Sequence, residues 1–264
     1  MKTRFYLLDI SEDRSQPKPG VRLWGINGEE KRILITADQI LPYFYLLPDS
    51  EAPEKVREYL LGDKKRFPRI DNIKIESGKL LGHECKALKI SCLHSEAMSD
   101  YPKAIHKVLP KAQVFEDDFR LSLRYLTDWM LTPCGWHGCE AEAGKVEGVT
   151  VDAVYDASGI VRSLSEDTVP KLRVLAFSTL AIAEKGSAKP EKDPVRAIAV
   201  ATNHSRPAMF VAQSDDDSSM LKEFAAYVAK TDPDVIVGFG VNGTDWPYLI
   251  KRCELRKVML AVGR

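Results

Sequence analysis

The residue types best suited to chemistry gather in one short stretch, PCGWHGC, which holds Cys134, His137 and Cys139. Thiolate and imidazole are the ligands that zinc prefers. Two further pairs, His83 with Cys85 and Cys92 with His94, lie upstream. The spacing C-x-x-H-x-C is not that of a standard zinc knuckle, and no second half follows nearby. The stretch therefore reads first as a turn with reduced thiols, and Cys134, His137 and Cys139 stay as metal candidates behind that reading. Cys253, inside a helical pattern, reads as a small core residue. Among the acids, Asp215-Asp216-Asp217 precede an amphipathic run, where carboxylates complement the positive end of a helix dipole. Asp245 stands before Trp246-Pro247, the pattern of an N-cap with proline in the first turn, and is also a carboxylate able to hold a hard cation. Lys64-Lys65-Arg66 and the series Lys103, Lys107 and Lys111 could touch phosphates, although a charge run is usually a solvated face.

These residues sit in a chain of 264 residues, 44% apolar and 29% charged, long enough for about two domains. Lys+Arg 38 against Asp+Glu 38 gives no net charge, so a nucleic-acid partner would need a local basic face. No apolar run approaches the roughly 18 residues of a membrane span, and MKTRFYLLDISEDR lacks a signal-peptide core. Five Cys without a disulfide framework point to reduced thiols and a cytoplasmic protein.

The elements that must position the chemistry fall into a mixed α/β pattern. RFYLLDI and GVRLWGI alternate as strands, and SEAPEKVREYLLGDKK carries apolar Val56, Tyr59 and Leu60 at helical spacing. NIKIESGKLLGHECKALKISC reads as a hairpin turning near Ser77-Gly78. A helix in SEAMSDYPKAIHKVL, a strand in AQVFEDD and a helix in DFRLSLRYLTDWML follow, closing a β-rich first domain over residues 1–130. Residues 131–170, rich in Gly, small residues and acids, read as a linker with short strands. Beyond it LRVLAFS, VRAIAVAT and AMFVAQ are three strands, then come helix SSMLKEFAAYVAKT, strand VIVGFG and helix DWPYLIKRCEL, a second domain over 171–264.

In order and spacing these segments resemble the N-terminal portion of an archaeal-type B-family DNA polymerase. LPYFYLLPDS resembles that family's PY-x-Y segment, GKLLGHECKALKI the strand after it, and Arg124-Tyr125-Leu126 the R-Y-L of its closing helix. LRVLAFSTLAIAEKG lies where the family carries its first exonuclease motif, F-D-I-E-T. TDPDVIVGFGVNGTDWPYLIKRCE follows its D-P-D-I-I-x-x-Y-N-x-x-x-F-D-x-P-Y-L-x-x-R, with Asp232, Pro233, Asp234, Asp245, Pro247, Tyr248, Leu249 and Arg252 in register.

The resemblance implies a β-rich amino-terminal domain followed by part of an RNase H-like 3′–5′ exonuclease domain with a mixed sheet. That exonuclease works through two divalent metals held by carboxylates. Here Ser178 stands at the motif's Asp, Leu180 at its Glu and Gly240 at the Asn of the second motif, leaving Asp245. A hydroxyl is a poor ligand for a hard cation and a leucine is none. Ser178 reads instead as a buried strand-end hydroxyl bonded to backbone. The resemblance is thus to paralogues with disrupted exonuclease motifs: this chain is expected to have lost proofreading, to hold no cofactor itself, and to contribute template contacts and scaffolding, with Mg²⁺ expected for the intact polymerase. Its expected partners are primer–template DNA and the palm, fingers and thumb of the polymerase, or another replication protein, with no membrane. In the family a pocket detects template uracil; Pro42, Tyr43, Ala87 and Arg124 match its positions, with Ala87 smaller than the family's residue and Glu84 replacing a proline. The competing expectation is a free-standing, non-catalytic interaction protein of the replication machinery.

Overall fold

The computed structural model describes residues 2–13, 18–38, 40–49 and 51–263. The chain divides into two compact units, Met1–Pro170 and Lys171–Arg264.

The first unit opens with β1 (Lys2–Asp13), β2 (Gly20–Asn27) and β3 (Arg32–Ala37), an antiparallel meander. An excursion follows through β4 (Tyr43–Leu47), α1 (Pro53–Gly62), β5 (Ile70–Leu80), β6 (His83–Cys92), α2 (Ala97–Val108) and β7 (Gln113–Phe115). Then α3 (Leu121–Asp128) leads to β8 (Trp136–Ala143), β9 (Ala153–Ala157) and β10 (Arg162–Ser163).

The excursion forms its own four-stranded sheet, in the order β5-β6-β4-β7. Val56 and Leu60 of α1 and Tyr101 and Ile105 of α2 pack with Phe44, Leu46, Ile73, Leu88 and Ile90, so the alternate strand residues build one core. The β5–β6 hairpin turns at Leu81-Gly82, not near Ser77-Gly78 as the sequence suggests. Leu81 and Gly82 both have positive φ, 49° and 86°, as a two-residue hairpin turn demands. That register pairs Ile73 with Ile90 and leaves Ser77 and Gly78 inside the ladder, opposite Lys86 and Cys85.

Residues 131–170 are not a linker. β8 pairs with β1 on one side and with β9 and β10 on the other, while β9 runs parallel to β3. The circuit β1-β2-β3-β9-β8 therefore returns to β1, a five-stranded barrel with the strand order of an OB-fold. Its core holds Phe5, Leu23, Ile33, Ile35, Cys139, Ala141 and Val161, with Leu121 and Tyr125 of α3 packed against them. The small residues that read as linker are the ones that fit the inside of a narrow barrel.

The second unit runs β11 (Val174–Ala181), β12 (Val195–Thr202), β13 (Ala208–Val211), α4 (Ser218–Thr231), β14 (Val235–Val237), a π-helical turn (Val241–Asp245) and α5 (Trp246–Arg256). Its sheet has the order β13-β12-β11-β14, with only β14 parallel to its neighbour. Leu175, Phe177, Ile198 and Val200 face α4 and α5, packing on Leu221, Phe224, Val228 and Leu249. The alternate residues form an open face, on which Leu180, Met209, Val211 and Val237 are exposed among the alanines 176, 197, 199 and 201.

Candidate active site

β11 presents Ser178 and Leu180 to one side of the sheet and Phe177 and Thr179 to the other. Ser178 is exposed and lies within the ladder opposite Ala199, so it is not a buried strand-end hydroxyl. Leu180 is 53% exposed and pairs with Ala197. Beyond β14 the chain reverses sharply. A Cβ on Gly238 would lie 2.7 Å from the Phe177 carbonyl oxygen and 2.2 Å from Val241 Cγ2, a gap that only glycine fills. Phe239 is wholly exposed, and Gly240 turns the chain with φ +72° into the π-helical turn.

Asp245 ends that turn and is buried. It occupies the residue before α5 but its side chain caps nothing. Its backbone is already helical (φ −67°, ψ −49°), and the Trp246 N–H is bonded to the Val241 carbonyl, so α5 continues the preceding turn and does not start at a cap. The Asp245 carboxylate instead accepts a 2.5 Å hydrogen bond from the Thr179 hydroxyl. The surviving acid thus meets β11 through Thr179, on the face away from Ser178 and Leu180. Among the described residues no group of three or more His, Cys, Asp or Glu side chains is placed to hold a metal ion.

The thiol–imidazole stretch is spread over three environments. Cys134 is exposed with φ 53°, Cys139 is in the barrel core, and His137 is fully buried beside Phe5 at 5.7 Å. Burial pushes the Cys139 thiol up to about 11. His137 Nδ1 lies 2.9 Å from the Gly135 carbonyl and must carry the proton, so Nε2 accepts from Ser163 Oγ at 3.2 Å. Burial holds this imidazole below its usual pKa, against the pull of the Gly135 carbonyl. With both ring nitrogens engaged, His137 has no lone pair left for a metal.

In the first unit Tyr43 and Arg124 meet, with Arg124 Cζ 3.7 Å from the tyrosine ring centroid. Lys89 Nζ lies 3.8 Å from the same centroid, and the Tyr43 hydroxyl donates to Asp128 at 2.9 Å. Arg124 is buried and bonded to Glu116 through its carboxylate at 2.8 Å and its carbonyl at 3.1 Å. Burial raises the Tyr43 phenol above its usual pKa, so it stays a neutral donor. Pro42 is buried beside Tyr43 and accepts from the Cys92 N–H. Ala87 is four residues along β6 from Ser91, the partner of Tyr43, and lines a separate cavity of about 440 Å³ with Tyr45, Glu76 and Phe115. A base could stack on Tyr43 only by displacing a cation already on it. Sequence reasoning missed Thr179, Lys89 and Asp128, because each acts through a partner remote in the chain, and Glu116, whose partner Arg124 lies eight residues on, across the start of α3.

Residues 201–262, which include Gly240 and Asp245, match the family described as DNA polymerase family B, exonuclease domain. The chain is 31% identical to DNA polymerase 2 of Aeropyrum pernix and 25% identical to DNA polymerase 3 of Saccharolobus shibatae, in each case over 98% of this chain and 33% of the relative. The solved structure of the family B DNA polymerase from Pyrobaculum calidifontis matches with a TM-score of 0.84 and 31% identity, over 99% of this chain and 33% of that one. The chain thus spans about a third of the length of these polymerases. In sequence and in fold it belongs with the family B DNA polymerases, as a homologue of their amino-terminal and exonuclease region.

Proposed function

We propose that this chain serves as the template-contacting and scaffolding part of a family B DNA polymerase, and that its proofreading chemistry has been lost. The observation that carries the loss is the state of β11: Ser178 and Leu180 occupy the carboxylate positions, and Asp245 is tied to Thr179. A two-metal hydrolysis needs oxygen ligands converging on one pair of ions. This donor set does not fit such a pair, and the Mg²⁺ belongs to the rest of the polymerase. Primer–template DNA and either the remaining polymerase domains or another replication protein are the partners, in the cytoplasm.

The test is incubation of end-labelled primer–template DNA with the purified chain and Mg²⁺ or Mn²⁺. Salt-sensitive binding with intact primer ends is expected for wild type and for Asp245→Ala alike. Degradation that survives Asp245→Ala would reveal another nuclease centre and sink the reading. The exposed apolar face of the second unit favours a second reading, a protein-binding scaffold. That reading is distinguished by negligible affinity for DNA.

A further inference from the structure

On the outside of the barrel lies a groove of about 790 Å³. Its geometry follows from strand register. Gly138 of β8 is paired with Arg4 of β1 on one side and with Arg162 of β10 on the other. Directly paired residues project to the same face, so two arginines flank a residue with no side chain. Their strands are two inter-strand spacings apart, roughly 10 Å. In the next row Lys2 is paired with Glu140, the one carboxylate among the described residues that line the groove.

The charges are only partly neutralised from within. Arg4 is held in place: its guanidinium lies 4.4 Å from the Trp136 ring centroid and bonds to Glu166. Lys2 and Arg162 are exposed, and neither side chain has a hydrogen-bond or ion-pair partner among the described residues. Glu166 neutralises Arg4 alone, which leaves Lys2 and Arg162 free for an anion, and the planar fork of arginine suits a phosphate oxygen pair. Apolar surface lies beside Arg162 on the same segment, with Ile160 42% and Leu164 39% exposed and Leu164 lying over Gly138. Cations from two strands with aliphatic surface beside one of them match a strand that carries phosphates along one edge and sugars and bases along the other. The volume lies within the roughly 300–1,000 Å³ of pockets for molecules the size of a drug, room for a nucleotide or two and not for a duplex. The face over which OB-folds commonly bind oligonucleotides is closed here, since Ile26 and Leu34, on the outside of β2 and β3, are fully buried.

We propose that the Arg4–Gly138–Arg162 row is a clamp for the phosphodiester backbone of single-stranded DNA, a reading that rests on the polymerase assignment and locates one of its DNA contacts. The test is fluorescence anisotropy of a short labelled oligothymidylate against the full chain across a salt series, with a duplex of the same length as competitor. Lys2→Glu combined with Arg162→Glu removes two phosphate contacts. It is expected to weaken binding at least tenfold and to flatten the log–log salt slope by about 1.4, at about 0.7 per contact on a single strand. Arg4 is left intact because it also packs on Trp136. Gly138→Val adds bulk to the cleft without a backbone clash, since a Cβ there would meet Leu164 at 3.5 Å and the Thr3 carbonyl oxygen at 3.8 Å, both ordinary contacts, and is expected to weaken binding while thermal stability holds. Wild-type affinity and slope in both variants, or a duplex that competes as well as the single strand, would overturn the clamp and leave the polymerase reading standing. A wild-type chain that binds neither the oligonucleotide nor primer–template would overturn both.

Discussion

Asp217 shows what a single residue can hide. It is fully buried, accepts from Arg252 Nε at 2.9 Å and Nη2 at 2.6 Å, from Arg256 Nε at 3.0 Å, and from the Val195 N–H at 2.9 Å. Burial by itself would raise its pKa. The Arg252, Val195 and Arg256 bonds outweigh that and hold the carboxyl below the usual range. Because the folded value lies below the unfolded one, the stabilisation is present above the unfolded pKa and is lost as pH falls through the folded one. The stability gap between wild type and Asp217→Asn, read by urea unfolding, should therefore narrow as pH drops below about 4. Arg252→Ala leaves the buried Asp217 carboxylate with only Arg256 and the Val195 N–H and should cost up to about 3–5 kcal/mol at neutral pH; a cost under about 1 kcal/mol would show that Arg256 or water takes over the carboxylate. In the sequence, Asp215, Asp216 and Asp217 are three equal letters before a helix, read as dipole complements. Asp215 and Asp216 are exposed as that reading requires. Nothing local marks Asp217, because its partner lies 35 residues on. Arg252 was legible as a motif position, but its task was not.

At the scale of elements, period was a good guide where one face is buried. The strands of the second unit and its two helices carry the alternation and the helical stripe that their packing imposes. The same signal fails in two places. β8 to β10 bury small residues in a closed barrel, which leaves too little apolar contrast to read as core. The link from β14 to α5 is a π-helical turn, and its geometry depends on Gly238 lying against the Phe177 carbonyl. Gly238→Ala must push aside a backbone oxygen and a β-branched side chain, and should destabilise by about 1–3 kcal/mol. Gly240→Ala pays only for a positive φ, about 1 kcal/mol, and Gly240→Asn less, since asparagine tolerates that region. Thermal melts of the three variants should rank in that order, Gly238→Ala lowest. A neutral Gly238→Ala would mean that β14 does not approach β11 this closely, and the tie between Thr179 and Asp245 would then need another explanation.

For the whole molecule, two features read at different levels act in the same direction. The balance of charge was visible in composition alone: acids and bases cancel, and the sequence pI is about 7.0. The open sheet face was not, because Met209, Val211, Leu180 and Val237 come from separate strands and form a patch only once β13-β12-β11-β14 is assembled. Net charge near zero removes the long-range repulsion that keeps copies apart. An apolar patch with edge strands at β13 and β14 then supplies short-range attraction. Self-association should accordingly be greatest near pH 7 and fall toward acid, as histidines and then carboxylates take up protons and set a net positive charge. Met209→Lys with Val211→Lys interrupts the patch on the β13 edge, where the two side chains are 68% and 49% exposed, and adds two positive charges. Sedimentation velocity over a concentration series should show the double variant monomeric at pH 7 where wild type associates. Moving wild type to pH 5, where histidines and the first carboxylates take up protons, should remove association by charge alone. Replacing the same residues by Ser, which breaks the patch without adding charge, separates the two causes: if Ser variants associate as wild type does, charge balance governs the behaviour and the sheet face does not. A wild-type chain that stays monomeric at every pH and concentration would show that the face is too slight to bind its own kind.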